Sequence, residues 1–369
     1  MRWLFGLLVA VALTAAALVA ALWGYGWANR SGPHEYAAVT DEDRTRARAY
    51  LDAAIPKMPE GWAFSTFRPN PDEPDVSLRV GLVKAPSSKG TVIIVPGYTA
   101  PLDLYAGTIN AFLGAGYSVA GLEYRGQGRS HRDLDHPEKG YVASYERLGA
   151  DLAAYVKALK VDGAGDVFVY GNSMGGHVAL RAAGDGEKPD VTAYALVAPM
   201  VRIETGAFPY SVARGITSFY GMTGLGGEFT LGQTAFHPSR IDWENGNSCN
   251  PNPKTAWSRD ALFILEPESR VVGTTNDWVR RTMASTDTLT ADGYAARIDR
   301  PVLMFTAEKE TFVNSDTAAA MCSAIDSGPG TCTRHHYPEA SHCLVQESTT
   351  VRDDLYTRAI RFFEENGTR

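Results

Sequence analysis

The stretch "DVFVYGNSMGGHVALRAAG", Asp166 to Gly184, constrains the fold more than any other. A β-branched and aromatic run ends abruptly on Gly171, and a helical pattern opens directly after Ser173. The link between them is too short for anything but a tight strand-to-helix turn, and that turn carries a hydroxyl. Gly171, Gly175 and Gly176 give a crowded backbone the room to make it.

The same alternation recurs along the chain. Apolar strands are predicted at 91–95, 117–124, 166–170, 192–198 and 301–307, with helices around 104–113, 144–160 and 174–183. Short β-branched runs separated by helices imply a mostly parallel sheet with helices on both faces. Residues 62–68 and 78–84 read as an antiparallel strand pair ahead of it. "TDEDRTRARAYLDAAI" (Thr40 to Ile55) reads as a helix with a Thr N-cap and acidic first turn. Between Pro199 and Arg300 the alternation stops, and a segment that long is an inserted cap and not a loop. Most of its aromatics (Phe208, Tyr210, Phe219, Tyr220, Trp243, Trp257, Phe263, Trp278) are expected to form the cap's own small core. The resulting organisation is an N-terminal segment (1–30), a linker and helix (31–60), a first core part (61–200), the cap (201–299) and a second core part (300–369).

The first thirty residues obey another rule. No charge falls between Arg2 and Arg30, and Trp3 at one end and Trp23, Tyr25 and Trp27 at the other form the aromatic belt of a bilayer-spanning helix. Three readings stand: an anchor holding an extracytoplasmic enzyme at the membrane (periplasmic or cell surface), a signal cleaved near Gly26-Trp27-Ala28 to release it, or a buried helix of a soluble protein. Cys249, Cys322, Cys332 and Cys343 suit an exported location, being even in number and without zinc-type spacing. Of the three pairings, Cys322 with Cys332 is favoured by the turn-like "SAIDSGPGT" between them; four reduced thiols is the competing state. A formal net charge of -7 without a basic cluster argues against a nucleic-acid partner.

Gly171-Asn172-Ser173-Met174-Gly175 matches G-x-S-x-G in the strand-turn-helix setting that a nucleophile elbow needs. A serine hydroxyl attacks only when a base takes its proton and a third group orients that base. His342, in "YPEASHCLVQE", sits between a short strand and a last helix, whereas His335 and His336 fall on the strand itself. For the acid, Glu308, Glu310 and Asp316 all follow strand 301–307, and spacing alone does not choose among them.

Several stretches, in order, resemble the α/β-hydrolase superfamily, and within it the lysophospholipase and monoacylglycerol lipase group related to serine aminopeptidases: "VPGYTA", "LEYRGQGRS", "KGYVASYERLGADLAAYV", "GNSMGG", "VAPM", "TTNDW", "AEKETFV" and "EASHCLVQE". The resemblance covers residues 60–365 and implies the α/β-hydrolase fold with an inserted cap. It puts Ser173, Glu310 and His342 on the triad, and the backbone N–H groups of Tyr98 and Met174 on the oxyanion hole. Three departures stand out: Glu310 and Glu123 where the family commonly has Asp, and Pro96-Gly97 where it has His-Gly. Glu123, Arg125 and Gly128 are expected to fix the loop and not to take part in chemistry. The implied activity is ester hydrolysis of single-chain lipids without metal or organic cofactor. A short-chain carboxylesterase, an exported peptidase of the same fold and a tethered lipid-binding protein with a silent triad are the competing readings.

Overall fold

The computed structural model describes residues 2–368. Helix α1 (Arg2–Ala28) leads to α2 (Asp41–Ala54), whose capping box pairs the Thr40 side chain with the Asp43 N–H and the Asp43 carboxylate with the Thr40 N–H. Strands β1 (Ala63–Phe67) and β2 (Leu78–Val83) follow, then β3 (Thr91–Val95), α3 (Ala106–Gly114), β4 (Ser118–Leu122), the two-residue β5 (Lys139–Gly140) and α4 (Tyr145–Val161). Next come β6 (Val167–Asn172), α5 (Met174–Gly184) and β7 (Ala193–Val197). The cap holds α6 (Tyr210–Met222), α7 (Ser258–Leu265), β8 (Gly273–Thr274) and α8 (Asn276–Leu289). The chain closes with β9 (Pro301–Lys309), α9 (Ser315–Asp326), β10 (Thr331–Ser341) and α10 (Thr349–Asn366).

Eight strands form one sheet in the order β1-β2-β4-β3-β6-β7-β9-β10. β2 runs antiparallel to both neighbours and every pairing from β4 to β10 is parallel. Strand periodicity explains why both faces are covered. Val92 and Ile94 of β3 point into a cluster with Phe112 of α3 and Phe363 of α10. Ile93 and Val95, one residue out of phase, point into the opposite cluster with Leu152 of α4 and Val178 of α5. The sheet thereby delivers the loops after β3, β6, β9 and β10 to one edge, the carboxyl end where open α/β sheets hold their ligands.

The cap's aromatics do not form a single core. Phe263, Trp243 and Trp257 gather with Phe236 and Ile241, and α2 completes that cluster through Ala47, Tyr50 and Leu51. The Tyr50 hydroxyl donates to the Pro253 carbonyl at 2.6 Å and accepts the Trp257 N–H at 3.1 Å. Trp278 and Tyr210 instead join the main core, and Phe208 is exposed. Of the eight rings, only Trp243, Trp257 and Phe263 share the cluster that α2 completes. α1 meets the cap near its C-terminal end, where the Tyr220 hydroxyl donates to the Leu22 carbonyl at 2.9 Å and Tyr220 lies against Gly26. Trp23, Tyr25 and Trp27 are exposed on α1, whereas the side chain of Trp3, the other expected belt residue, lies outside the described part.

Both disulfides form: Cys322–Cys332, and Cys249–Cys343, which joins the cap to the loop after β10.

Candidate active site

Ser173 sits between β6 and α5 with φ 51° and ψ -114°, a conformation that L-residues rarely adopt. Three backbone hydrogen bonds hold it there. Its N–H donates to Val197 at 2.8 Å, and its carbonyl accepts from Met200 at 3.0 Å and His177 at 3.2 Å. The glycines are dictated by what surrounds them. A Cβ on Gly175 would collide with the Val95 and Pro96 carbonyl oxygens, and one on Gly171 would lie 2.9 Å from the Gly175 carbonyl. The turn projects the hydroxyl to the carboxyl edge of the sheet.

There His342 Nε2 is 2.9 Å from Ser173 Oγ, and His342 Nδ1 is 2.6 Å from Glu310 Oε2. The other Glu310 oxygen accepts the N–H groups of Thr311 (2.9 Å), Phe312 (2.8 Å) and Val313 (3.3 Å). Burial pushes the Glu310 carboxyl pKa up, but the hydrogen bond and charge of His342 and the Phe312 and Val313 amides outweigh it, leaving a net lowering. An ionised Glu310 can only accept, so the proton of this hydrogen bond lies on His342 Nδ1, and Nε2 faces the Ser173 hydroxyl. The competing acids lie elsewhere: Glu308 pairs with His336 at 3.0 Å, and Asp316 sits in the first turn of α9. His335 and His336 pair into the sheet opposite Phe305 and Thr306.

The loop after β3 reaches the serine from the other side, and a Cβ on Gly97 would stand 3.4 Å from the Ser173 Cβ. Among the described residues, neither the Tyr98 nor the Met174 backbone N–H has a protein acceptor. Met174 also begins α5, whose N-terminal dipole favours negative charge. Buried Glu123 fixes this loop: it accepts from the Leu102 N–H at 2.8 Å, the Arg129 N–H at 2.8 Å and the Arg79 guanidinium at 3.0 Å. A Cβ on Gly128 would collide with the Glu123 carboxylate, so glycine is required there. Arg125 pairs with Asp151 (2.6 Å) and Glu73 (3.0 Å).

Three supporting contacts are not evident from the sequence. Gln127 Oε1 accepts the Thr99 N–H at 2.6 Å. The Tyr105 hydroxyl accepts both the Gly97 N–H (2.9 Å) and Asn172 Nδ2 (3.2 Å), tying the β3 loop to the residue before the serine. Trp278 packs against Tyr98 with ring centroids 4.6 Å apart and the planes tilted by 39°. The signals were present, a Gln inside "RGQGRS" and a Trp inside "TTNDW", but their partners lie far away in sequence. Among the described residues no group of three or more His, Cys, Asp or Glu side chains is arranged to hold a metal ion.

Residues 86–349 match the family described as "Serine aminopeptidase, S33". The chain belongs to this S33 family. Lysophospholipase L2 of Escherichia coli K12 is 25% identical over 284 residues, spanning 75% of this chain and 80% of that protein. The S33 chain also resembles the monoglyceride lipase of Saccharomyces cerevisiae, at TM-score 0.63 and 14% identity, covering 86% of this chain and 98% of that one. A carboxyl esterase from Bacillus coagulans gives TM-score 0.63 at 15% identity, with coverages of 84% and 99%. The fold is the α/β-hydrolase fold, shared with the monoglyceride lipase.

Proposed function

We propose that this protein is a serine hydrolase cleaving the carboxylic ester of single-chain lipids, as a lysophospholipase or monoacylglycerol lipase does, through Ser173, His342 and Glu310. The reading rests above all on the relay of hydrogen bonds from Glu310 through His342 to the Ser173 hydroxyl. His342 Nε2 takes the Ser173 proton as Oγ attacks the ester carbonyl, and Glu310 stabilises the imidazolium that forms. The Tyr98 and Met174 N–H groups receive the negative charge on the carbonyl oxygen. His342 then protonates the leaving alcohol, freeing it and leaving an acyl-enzyme. Water, deprotonated by the same imidazole, attacks the acyl carbon and restores the serine.

A lipid substrate is favoured by the name of the curated relative and by this chain's own surface. Ser173 is only 9% exposed, while Phe208, Val212 and Met222, on or beside α6, are exposed, and Tyr220 of the same helix bonds α1. In this reading α1 anchors the enzyme in a membrane, and a single acyl chain enters as the cap moves.

The test is a fluorophosphonate probe on wild type and Ser173→Ala, with hydrolysis of lysophosphatidylcholine, monoolein, a butyrate ester and an aminoacyl anilide. Labelling of wild type alone, with lysophosphatidylcholine or monoolein cleaved fastest, is expected. Loss of Ser173 or His342 should cost roughly 10⁴- to 10⁶-fold in kcat. An unlabelled wild type means a binding role, and preference for butyrate or anilide means an esterase or a peptidase.

A further inference from the structure

The histidine loop receives little support from the sheet. β10 ends at Ser341, and beyond it His342 depends on short-range bonds: the Leu344 N–H to its carbonyl at 2.9 Å, and the Gln346 N–H to Cys343 at 2.8 Å. Leu344 is buried in the core and the Ser341 N–H donates to the Glu347 carboxylate at 2.7 Å, and a further restraint comes from a cap segment about ninety residues earlier in the chain (a separation of 94 between its cysteine and Cys343). Cys249 is bonded to Cys343, the residue next to His342, and the Cys343 N–H donates to the Cys249 carbonyl at 3.1 Å. Asn250 Nδ2 (3.1 Å) and Thr255 Oγ1 (3.0 Å) both donate to the Gln346 carbonyl, gripping the loop's far end.

The cap segment is itself rigidly built. The Asn247 side chain accepts the Cys249 and Asn250 N–H groups at 2.9 and 3.0 Å and donates to the Ala256 carbonyl at 2.7 Å. Asn250 is fully buried, and its carboxamide bonds Thr255 at 2.8 Å and the Asn252 N–H at 2.9 Å. Helix α2 braces this knot from outside through the Tyr50 hydroxyl.

We propose that the Cys249–Cys343 disulfide, with Asn250 and Thr255, is a positioning clasp for His342, so that full catalytic rate requires this cap segment to be covalently joined to the histidine loop. The proposal rests on the hydrolase reading above. An imidazole that must keep one nitrogen on Ser173 and the other on Glu310 tolerates displacements of only about 0.5 Å. The buried Leu344 fixes the middle of the loop, and the cap adds a covalent tie at Cys343, directly beside the imidazole, and two hydrogen bonds at Gln346. The clasp also makes the activity that of an oxidising compartment, where such a bond persists.

The second disulfide provides the control. Cys322–Cys332 spans 10 residues between α9 and the start of β10, where Cys332 pairs with Val302, whereas the histidine end pairs at Lys309. The experiment compares kcat, KM and thermal midpoint for wild type, Cys249→Ser/Cys343→Ser and Cys322→Ser/Cys332→Ser on one ester substrate, with fluorophosphonate labelling rates. The clasp variant should lose on the order of 10- to 100-fold in kcat and labelling rate with KM changed less than about three-fold. The control variant should keep wild-type kcat.

Should the clasp variant fail to fold, the control variant serves as a background holding only Cys249–Cys343. A dithiol reductant then gives two electrons and two protons to that bond, leaving two protein thiols and a cyclic disulfide on the reagent. kcat should fall on reduction while circular dichroism stays native, and recover on reoxidation. Wild-type kcat in the clasp variant or in the reduced control, even with a lowered thermal midpoint, overturns the positioning role. A wild type that never labels removes the hydrolase reading itself.

Discussion

Glu310 spends one carboxylate oxygen on His342 Nδ1, at 2.6 Å, and the other on the three amides that follow it in sequence. The carboxylate is therefore held by its own loop as well as by His342. That loop is in turn bonded to the start of the cap, where the Glu204 N–H donates to Phe312 and the Asn314 N–H to Arg202, each at 2.9 Å. Glu310→Gln keeps the shape but offers the wrong partner to the imidazole, and kcat should fall roughly 10³- to 10⁴-fold. Glu308→Gln and Asp316→Asn should each leave kcat within about two-fold, because neither carboxylate meets His342. Steady-state kinetics on the three variants checks the assignment.

Gly175→Ala should prevent folding or destabilise the protein by about 3 kcal/mol or more. Its Cβ would point at the Val95 and Pro96 carbonyl oxygens, backbone atoms of a central strand that cannot yield. Denaturant unfolding measures the loss, and a soluble, fully active Gly175→Ala protein would contradict the elbow geometry.

Tyr98→Phe separates the residue's amide from its phenol. The phenol is buried, has no hydrogen-bond partner among the described residues and has its pKa raised, chiefly by burial. Removing an unsatisfied hydroxyl costs no bond, so stability should rise by about 1 kcal/mol while kcat stays within about two-fold. A large loss of kcat would assign the phenol a part in chemistry. Thermal unfolding and ester kinetics provide the two readings.

Acid should weaken the fold from about pH 6.5 downward, the ordinary histidine value. Burial drives the His177 imidazole down to about 3, with its nitrogens 2.7 Å from the Met200 carbonyl and the Ser285 hydroxyl. Below 6.5 the unfolded chain binds a proton there that the folded one refuses, so stability falls with pH until about 3. Glu310 acts in the same direction: its folded pKa lies below its unfolded value, and its contribution disappears as pH falls through the folded value. Thermal midpoints measured from pH 7 to 4 should decline, and the slope should be shallower in His177→Gln.

Removing residues 1–30 should move the protein from the membrane pellet to the soluble fraction with its ester hydrolysis intact. The α1 contacts with Tyr220 are peripheral to the sheet, so the fold does not depend on them. Wild type already soluble, with a mature N-terminus near Asn29, would mean that the segment is a cleaved signal.

Local patterns carried much of this structure. The run "TVIIV" and its counterparts became β3, β4, β6, β7 and β9 because β-branched residues hydrophobic at every position suit a strand buried on both faces. Thr40 capped α2, and the glycines around Ser173 marked the turn, since both effects act within a few residues. The acid was different. Glu308, Glu310 and Asp316 carry the same functional group within nine positions, and the choice among them depends on which way each leaves the end of β9.

By itself, then, the sequence determined what short-range chemistry can specify: the order of strands and helices, the strained serine, the apolar first segment and the neighbouring pair Cys322 and Cys332. Tertiary structure alone decided that Glu310 meets His342, that Gln127 and Tyr105 brace the β3 loop, that α2 completes the cap's core, and that Cys249 finds Cys343. Each of those joins groups whose separation along the chain says nothing of their separation in space, and only the closing of the sheet with its cap brings them within bonding distance.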